Sequence, residues 1–163
     1  MDIYIDSDVI ISSEIDKEEN HKPSKKFMDF VLTGDGADIA FYTSIFTFVE
    51  LASAMIRRTN NKDKAYSLLY RIRNSWKQSI KPLPPIPLQT RTSFTRLVDT
   101  LIETSIQFRT PSADTIHAQT IVGYAIDNVV TWNTKHFQYV EKQIPNLAVV
   151  TPIQMLERLK YET

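Results

Sequence analysis

Two carboxylates, Asp6 and Asp8, interrupt an otherwise apolar run: Ile3-Tyr4-Ile5-Asp6-Ser7-Asp8-Val9-Ile10-Ile11. An unpaired carboxylate in apolar surroundings is costly unless it is neutralised or partnered. The run is therefore either a loop carrying polar residues or a strand that delivers charge to a site. Glu50 is a second anomaly, set in Ile45-Phe46-Thr47-Phe48-Val49-Glu50-Leu51-Ala52. Its helical neighbours one turn away are Phe46, Thr47, Ser53 and Ala54, so no local cation pairs with it. Alone it reads as a surface residue of an amphipathic helix; if buried, its partner comes from elsewhere in the fold. Asp114 lies in the first turn of an expected helix, where the helix dipole favours a carboxylate. Asn133 follows an apolar run, Val129-Val130-Thr131-Trp132, and is read alone as a turn residue. Carboxylates brought to one place repel one another unless a cation offsets them. Hard oxygen ligands of this kind suit Mg²⁺ or Mn²⁺, which keep waters and bind substrate phosphates.

The elements that must position these groups follow from apolar spacing and punctuation. Residues 2–5 read as a buried strand, with a helix beginning after it over Asp8 to Ser13. Lys22 to Leu32 has helical spacing and is stopped by Thr33-Gly34-Asp35-Gly36. Ile39 to Tyr42 is a second strand, and Ser44 is the expected N-cap of a helix running to about Arg58, broken by Asn60-Asn61. Asp63 to Lys77 is helical again. Lys81-Pro82-Leu83-Pro84-Pro85-Ile86-Pro87 cannot be helical, because proline lacks the amide donor, and is expected to be an extended connector. Helix resumes from about Gln89 to Gln107, and Thr110-Pro111, a cap followed by a first-turn proline, opens another to about Tyr124. Val129 to Thr131 and Leu147 to Val150 are further strands, and Thr151-Pro152 caps a last helix ending near Lys160. Strands separated by helices throughout imply an α/β domain with a mainly parallel sheet of four to five strands. Ligands of such sheets sit beyond the carboxyl ends of the strands. Asp6, Ser44 and Asn133 all fall there.

Composition narrows the function classes. A length of 163 residues suits one domain with a proper core, spanning 1–163. With 42% hydrophobic and 23% charged residues the chain is expected to be ordered, apart from a few residues around Lys17–Asn20 and at the C-terminus. The absence of cysteine excludes disulfides, thiolate zinc sites and thiol catalysis, and fits a reducing, cytoplasmic setting. No run approaches the roughly 18 apolar residues of a membrane span, so no membrane association is expected. Net charge is zero, so a polyanion must be met by local clusters such as Lys25-Lys26, Arg57-Arg58 with Lys62 and Lys64, or Arg71, Arg73 and Lys77. Each of these reads equally as a solvated helix face.

Taken in order, Tyr4-Ile5-Asp6-Ser7-Asp8-Val9, Ser44 with Glu50, Asp114 followed by Ala118, and Val130-Thr131-Trp132-Asn133-Thr134-Lys135-His136-Phe137 resemble the motifs of PIN domains, the nuclease domains of VapC-type toxins. The resemblance covers residue 2 to about 151. It implies a PIN-like three-layer α/β/α domain and a metal-dependent endoribonuclease with carboxylate ligands at Asp6, Glu50 and Asp114. It further implies supporting polar groups at Ser7 and Ser44, RNA as substrate, a small antitoxin as partner and a homodimer. The family's fourth acid falls at Asn133 or, in another alignment, at His136; neither is a carboxylate, which puts a second metal in doubt. Asp8 stands where small polar residues are usual, and either supplies the missing charge or caps the following helix. Lys135, His136 and the Arg57-Arg58 pair are candidates for RNA phosphate contacts, with His136 alternatively a supporting group or a plain turn residue. His117, one turn from Asp114, is expected to be an exposed helix histidine, with pairing to Asp114 as the alternative; Trp132 is expected in the core. The opening Asp-x-Asp also resembles haloacid-dehalogenase-type phosphatases, but no Asp-Asp pair follows and Ile occupies position 10. A PIN-fold module kept for RNA binding or protein association, without catalysis, is the other alternative.

Overall fold

The computed structural model describes residues 1–33, 38–76, 78–85, 94–142 and 144–162. The expected stop at Gly34–Gly36, the helix end at Lys77, the connector beyond Pro85 and the helical start over 89–93 lie outside the described residues. The elements run β1 (Asp2–Ile5), α1 (Ser7–Glu14), α2 (His21–Thr33), β2 (Ala40–Ser44), α3 (Thr47–Thr59), α4 (Lys62–Trp76), β3 (Ile80–Leu83), α5 (Phe94–Phe108), α6 (Ser112–Gly123), β4 (Asn128–Val130), a 3₁₀ turn (Thr134–Phe137), α7 (Gln138–Glu141), β5 (Ala148–Val150) and α8 (Pro152–Glu162). The sheet has five strands in the order β3-β2-β1-β4-β5, every pairing parallel.

β1 is central because Ile3, Tyr4 and Ile5 are all fully buried, as a strand covered on both faces requires. Successive side chains point to opposite faces. Ile3 and Ile5 join Val130 and Val150 in a core with Val9, Ile10, Phe27, Leu51, Met55, Met155 and Leu159, from α1, α2, α3 and α8. Tyr4 faces the other way, into a second core with Val129, Ala118 and Ile121 of α6, and Phe137 and Val140. Two cores separated by one sheet make the three-layer α/β/α arrangement expected from the motifs.

Several local expectations need correction. Ile80–Leu83, read as connector, is the edge strand β3, in which Pro82 lies opposite Thr43. A proline is tolerated there because an edge strand need not donate on both sides. Ser44 is the last residue of β2 rather than a helix cap; α3 begins at Thr47, and the Ser44 hydroxyl accepts from the Phe46 N–H at 3.1 Å. Pro111 takes the N-cap position in place of Thr110, so α6 starts at Ser112. Residues 17–20 form turns, with the Glu18 N–H bonded to the Ile15 carbonyl and the His21 N–H to that of Glu18. The break after α3 is as read: Asn60 adopts the left-handed conformation, φ 49°, which asparagine tolerates better than most residues. Thr151 caps α8 reciprocally, its hydroxyl accepting from the Gln154 backbone N–H while the Gln154 side-chain Oε1 accepts from the Thr151 N–H at 2.9 Å. Among the described residues no helix is long and apolar enough to cross a membrane.

Candidate active site

The carboxyl ends of β1, β2 and β4 lie side by side, and the chain places its polar anomalies there. Asp6 follows β1 directly, almost fully buried, and is the N-cap of α1: its Oδ1 accepts from the Ser7 N–H at 2.7 Å. Its Oδ2 accepts from the Thr131 hydroxyl at 2.8 Å, just past β4. Burial pushes the Asp6 carboxyl above its ordinary range; the His117 charge and the Thr131 hydrogen bond pull it down, while Asp114 and Glu50 push it up again. Asp6, Glu50 and Asp114, from three separate elements, thus share one electrostatic environment.

Glu50 is only partly exposed, which corrects the surface reading, and its partner comes from elsewhere in the fold. His117 of α6 is fully buried, not exposed, and its Nε2 stands 2.6 Å from Glu50 Oε2 and 3.8 Å from Asp6 Oδ1. The other ring nitrogen, Nδ1, is 2.5 Å from the Tyr4 hydroxyl. Burial raises the Glu50 pKa, but the hydrogen bond and charge of His117, with a smaller contribution from Ser7, outweigh it and hold the carboxyl below its usual range. His117 shows the complement: burial lowers its pKa, but Glu50, Asp6 and Asp114 raise it overall. Burial and the nearby Asp6 charge keep the Tyr4 hydroxyl protonated well above its ordinary pKa.

Asp114 sits in the first turn of α6 and pairs with His136 rather than His117, at 2.5 Å between Oδ2 and Nδ1. His136 therefore stands beside an acid without being one. Asn133 is exposed, and the contact it makes near the acids is through its backbone: its N–H donates to Asp8 Oδ2 at 3.1 Å. Asp8 lies in the first turn of α1, and its Oδ2 also accepts from the Thr131 hydroxyl at 3.1 Å and the Trp132 N–H at 2.9 Å. It thereby ties α1 to the turn after β4. Its Oδ1 is buried with no hydrogen-bond partner among the described residues, and burial, followed by the Asp6 charge, pushes the carboxyl well above its normal pKa. Ser7 is buried beside Asp6, and Ser44 is fully buried at the end of β2. Trp132 packs against the core, half-buried, with its indole N–H on Ser24 Oγ at 2.8 Å. Arg57, Arg58 and Lys135 are exposed, and Arg58 is paired with Glu18.

No family model and no curated protein matches the sequence. Solved structures do match. The structure of VapBC2 from Rickettsia felis bound to a DNA fragment from its promoter aligns with a TM-score of 0.57 at 14% identity, over 91% of this chain and 97% of that one. That of VapBC-1 from nontypeable Haemophilus influenzae aligns with a TM-score of 0.58 at 14% identity, over 94% and 99%. The fold is PIN-like. At this identity the likeness concerns backbone architecture alone.

Oxygen donors dominate the site, and the negative charge that Asp114 and Glu50 place beside Asp6 is charge that a divalent cation would offset. The donor chemistry therefore fits Mg²⁺ or Mn²⁺. The arrangement is less direct: among the described residues no three His, Asp or Glu side chains stand ready as one ligand set. Two of the three acids are engaged by histidines. From sequence His117 reads as an exposed helix residue or a partner of Asp114, not as the partner of Glu50 and Tyr4, and neither Tyr4 nor Thr131 stands out. A signal existed for His117, since positions 114 and 117 share a helix face. None existed for Tyr4, which reads as core, or for Thr131, which reads as strand.

Proposed function

We propose that this chain is a metal-dependent endoribonuclease, the toxin component of a toxin–antitoxin pair. The observation that carries the reading is the convergence of Asp6, Glu50 and Asp114, from the end of β1, from α3 and from α6, at the carboxyl edge of a parallel sheet, where the charges of Asp114 and Glu50 both raise the Asp6 carboxyl. These three acids would hold Mg²⁺ or Mn²⁺, which when bound supplies charge neutralisation at a phosphate and lowers the pKa of a water. The chain's own residues do the rest. Thr131 and the Ser7 N–H fix both oxygens of Asp6. His136 holds Asp114, and Tyr4 with His117 holds Glu50. Asp8 fixes the turn carrying Asn133, whose exposed amide stands where the family pattern has an acid and is available to orient a water or a phosphate oxygen. Arg57 and Lys135 supply exposed cations for the RNA backbone, and hydrolysis in line leaves a 5′-phosphate and a 3′-hydroxyl. The VapBC neighbours support a small antitoxin as partner; a homodimer in the cytoplasm belongs to the same reading.

A second reading, a PIN-fold module that binds RNA or protein without cutting, is favoured by one observation: histidines occupy Glu50 and Asp114. One assay separates the two. Wild-type protein and Asp6→Asn are incubated with single-stranded RNA and Mn²⁺. The nuclease reading expects cleavage that Asp6→Asn abolishes while circular dichroism shows an intact fold. Equal cleavage by both proteins would exclude this site, and RNA binding without any Mn²⁺-dependent cutting would establish the second reading.

A further inference from the structure

The Nε2 edge of His117 faces two of the three acids. It is 2.6 Å from Glu50 Oε2 and 3.8 Å from Asp6 Oδ1, in a ring with no solvent exposure. The proton on this edge does not depend on the charge of the ring. If the ring is neutral, the Tyr4 hydroxyl donates to Nδ1 at 2.5 Å and the hydrogen resides on Nε2. If the ring is charged, both nitrogens carry hydrogens. The remaining tautomer would set a lone pair of Nε2 against an ionised carboxylate at 2.6 Å, a repulsive contact. In both allowed states Nε2–H donates to Glu50, so His117 is a hydrogen-bond donor to the acids and not a metal ligand. Tyr4, fully buried in the central strand, fixes this orientation from behind.

We infer that His117 is a positioning residue that withholds one oxygen of Glu50 from a divalent cation, so that the site binds its ion weakly. The inference rests on the proposed metal site and adds to it a residue that tunes affinity. A Glu freed from its donor is a better ligand, because it no longer has to give up a charge-assisted hydrogen bond in order to bind. The consequence runs against the usual effect of mutation at a site: removing this side chain strengthens metal binding.

The test is Mn²⁺ titration by calorimetry at one fixed pH, on wild type, His117→Ala, His117→Gln, Tyr4→Phe and Asp6→Asn. His117→Ala is expected to bind Mn²⁺ about tenfold more tightly than wild type, the effect of releasing one charge-assisted hydrogen bond. His117→Gln restores an amide N–H at a similar reach and is expected to return the affinity towards the wild-type value, which a merely structural role would not do. Tyr4→Phe keeps the strand packing but loses the hydrogen bond that holds the His117 ring in place, so the ring grips Glu50 less firmly and binding is expected to tighten by a smaller factor. Should His117→Ala fail to fold, Tyr4→Phe decides. Unchanged or weaker Mn²⁺ affinity in the folded variants overturns the inference while leaving the metal site standing, provided Asp6→Asn abolishes binding. Absence of Mn²⁺ binding in wild type and all variants overturns both. Binding to His117→Ala alone supports the inference in its strongest form.

Discussion

Replacing Asp8 by asparagine should stabilise the protein near neutral pH and flatten its stability against pH. Asp8 Oδ2 accepts from the N–H groups of Trp132 and Asn133 and shares the Thr131 hydroxyl with Asp6, while Oδ1 is buried with no partner among the described residues. Burial first, and the Asp6 charge second, raise its pKa well above the ordinary value of 3.8. A carboxyl raised on folding contributes its full stability below the unfolded pKa, and loses it as pH rises through the folded value. The wild type is therefore expected to lose stability from about pH 4 upwards, with a slope of at most about 1.4 kcal/mol per pH unit for this one group. An asparagine carbonyl keeps the acceptor for both backbone N–H groups but cannot ionise, so this part of the slope disappears. Alanine removes the acceptor altogether and strands the Trp132 N–H, a loss of about 1–3 kcal/mol at any pH. Urea unfolding of wild type, Asp8→Asn and Asp8→Ala at a series of pH values from about 5 to about 8 measures all three, and differences from wild type cancel the other titrating groups. Parallel wild-type and Asp8→Asn curves, or an Asp8→Asn variant as unstable as Asp8→Ala throughout, would refute the reasoning.

Other expectations concern packing and RNA contacts. Trp132→Phe removes the indole donor from the fully buried Ser24 hydroxyl and should cost about 1–2 kcal/mol in chemical denaturation. Arg58→Ala breaks only a largely exposed ion pair with Glu18 and should cost less than about 1 kcal/mol, vanishing at high salt. Arg57→Ala and Lys135→Ala should leave the melting temperature unchanged while weakening RNA binding and reducing its salt dependence, as read by fluorescence anisotropy at several ionic strengths.

The layout was legible where one face or both faces of an element are apolar. β1, β2, β4 and β5 announce themselves as short apolar runs, and the polar residues at the ends of β1, β2 and β4 fall together at the carboxyl edge of the sheet. β3 was not legible, because a strand reading Ile80-Lys81-Pro82-Leu83 carries a residue that normally ends strands. Its edge position, a tertiary fact, makes the proline acceptable. The caps at Ser44 and Thr110 were misplaced because a capping residue type marks the neighbourhood of a helix start, while backbone angles decide the position. Glu50 and His117 show the deeper limit. Each looks like a surface residue among its sequence neighbours, and only the fold, which brings α3 and α6 from opposite faces of the sheet to its carboxyl edge, makes each the other's partner across 67 positions. Asp8 reads from sequence as a metal ligand or a helix cap, and its hydrogen bonds to the Trp132–Asn133 turn join segments too far apart in the chain for that reading to include them.

The central claim is that Asp6, Glu50 and Asp114 form a metal site that hydrolyses RNA. It is tested most directly by following end-labelled RNA with wild-type protein and Asp114→Asn, with Mn²⁺, with a chelator, and with Mn²⁺ restored. The account predicts cleavage by wild type that stops with chelation, returns with Mn²⁺, leaves 5′-phosphate and 3′-hydroxyl ends, and is lost in Asp114→Asn. Cleavage that persists under chelation, or that Asp114→Asn performs as well as wild type, would contradict it.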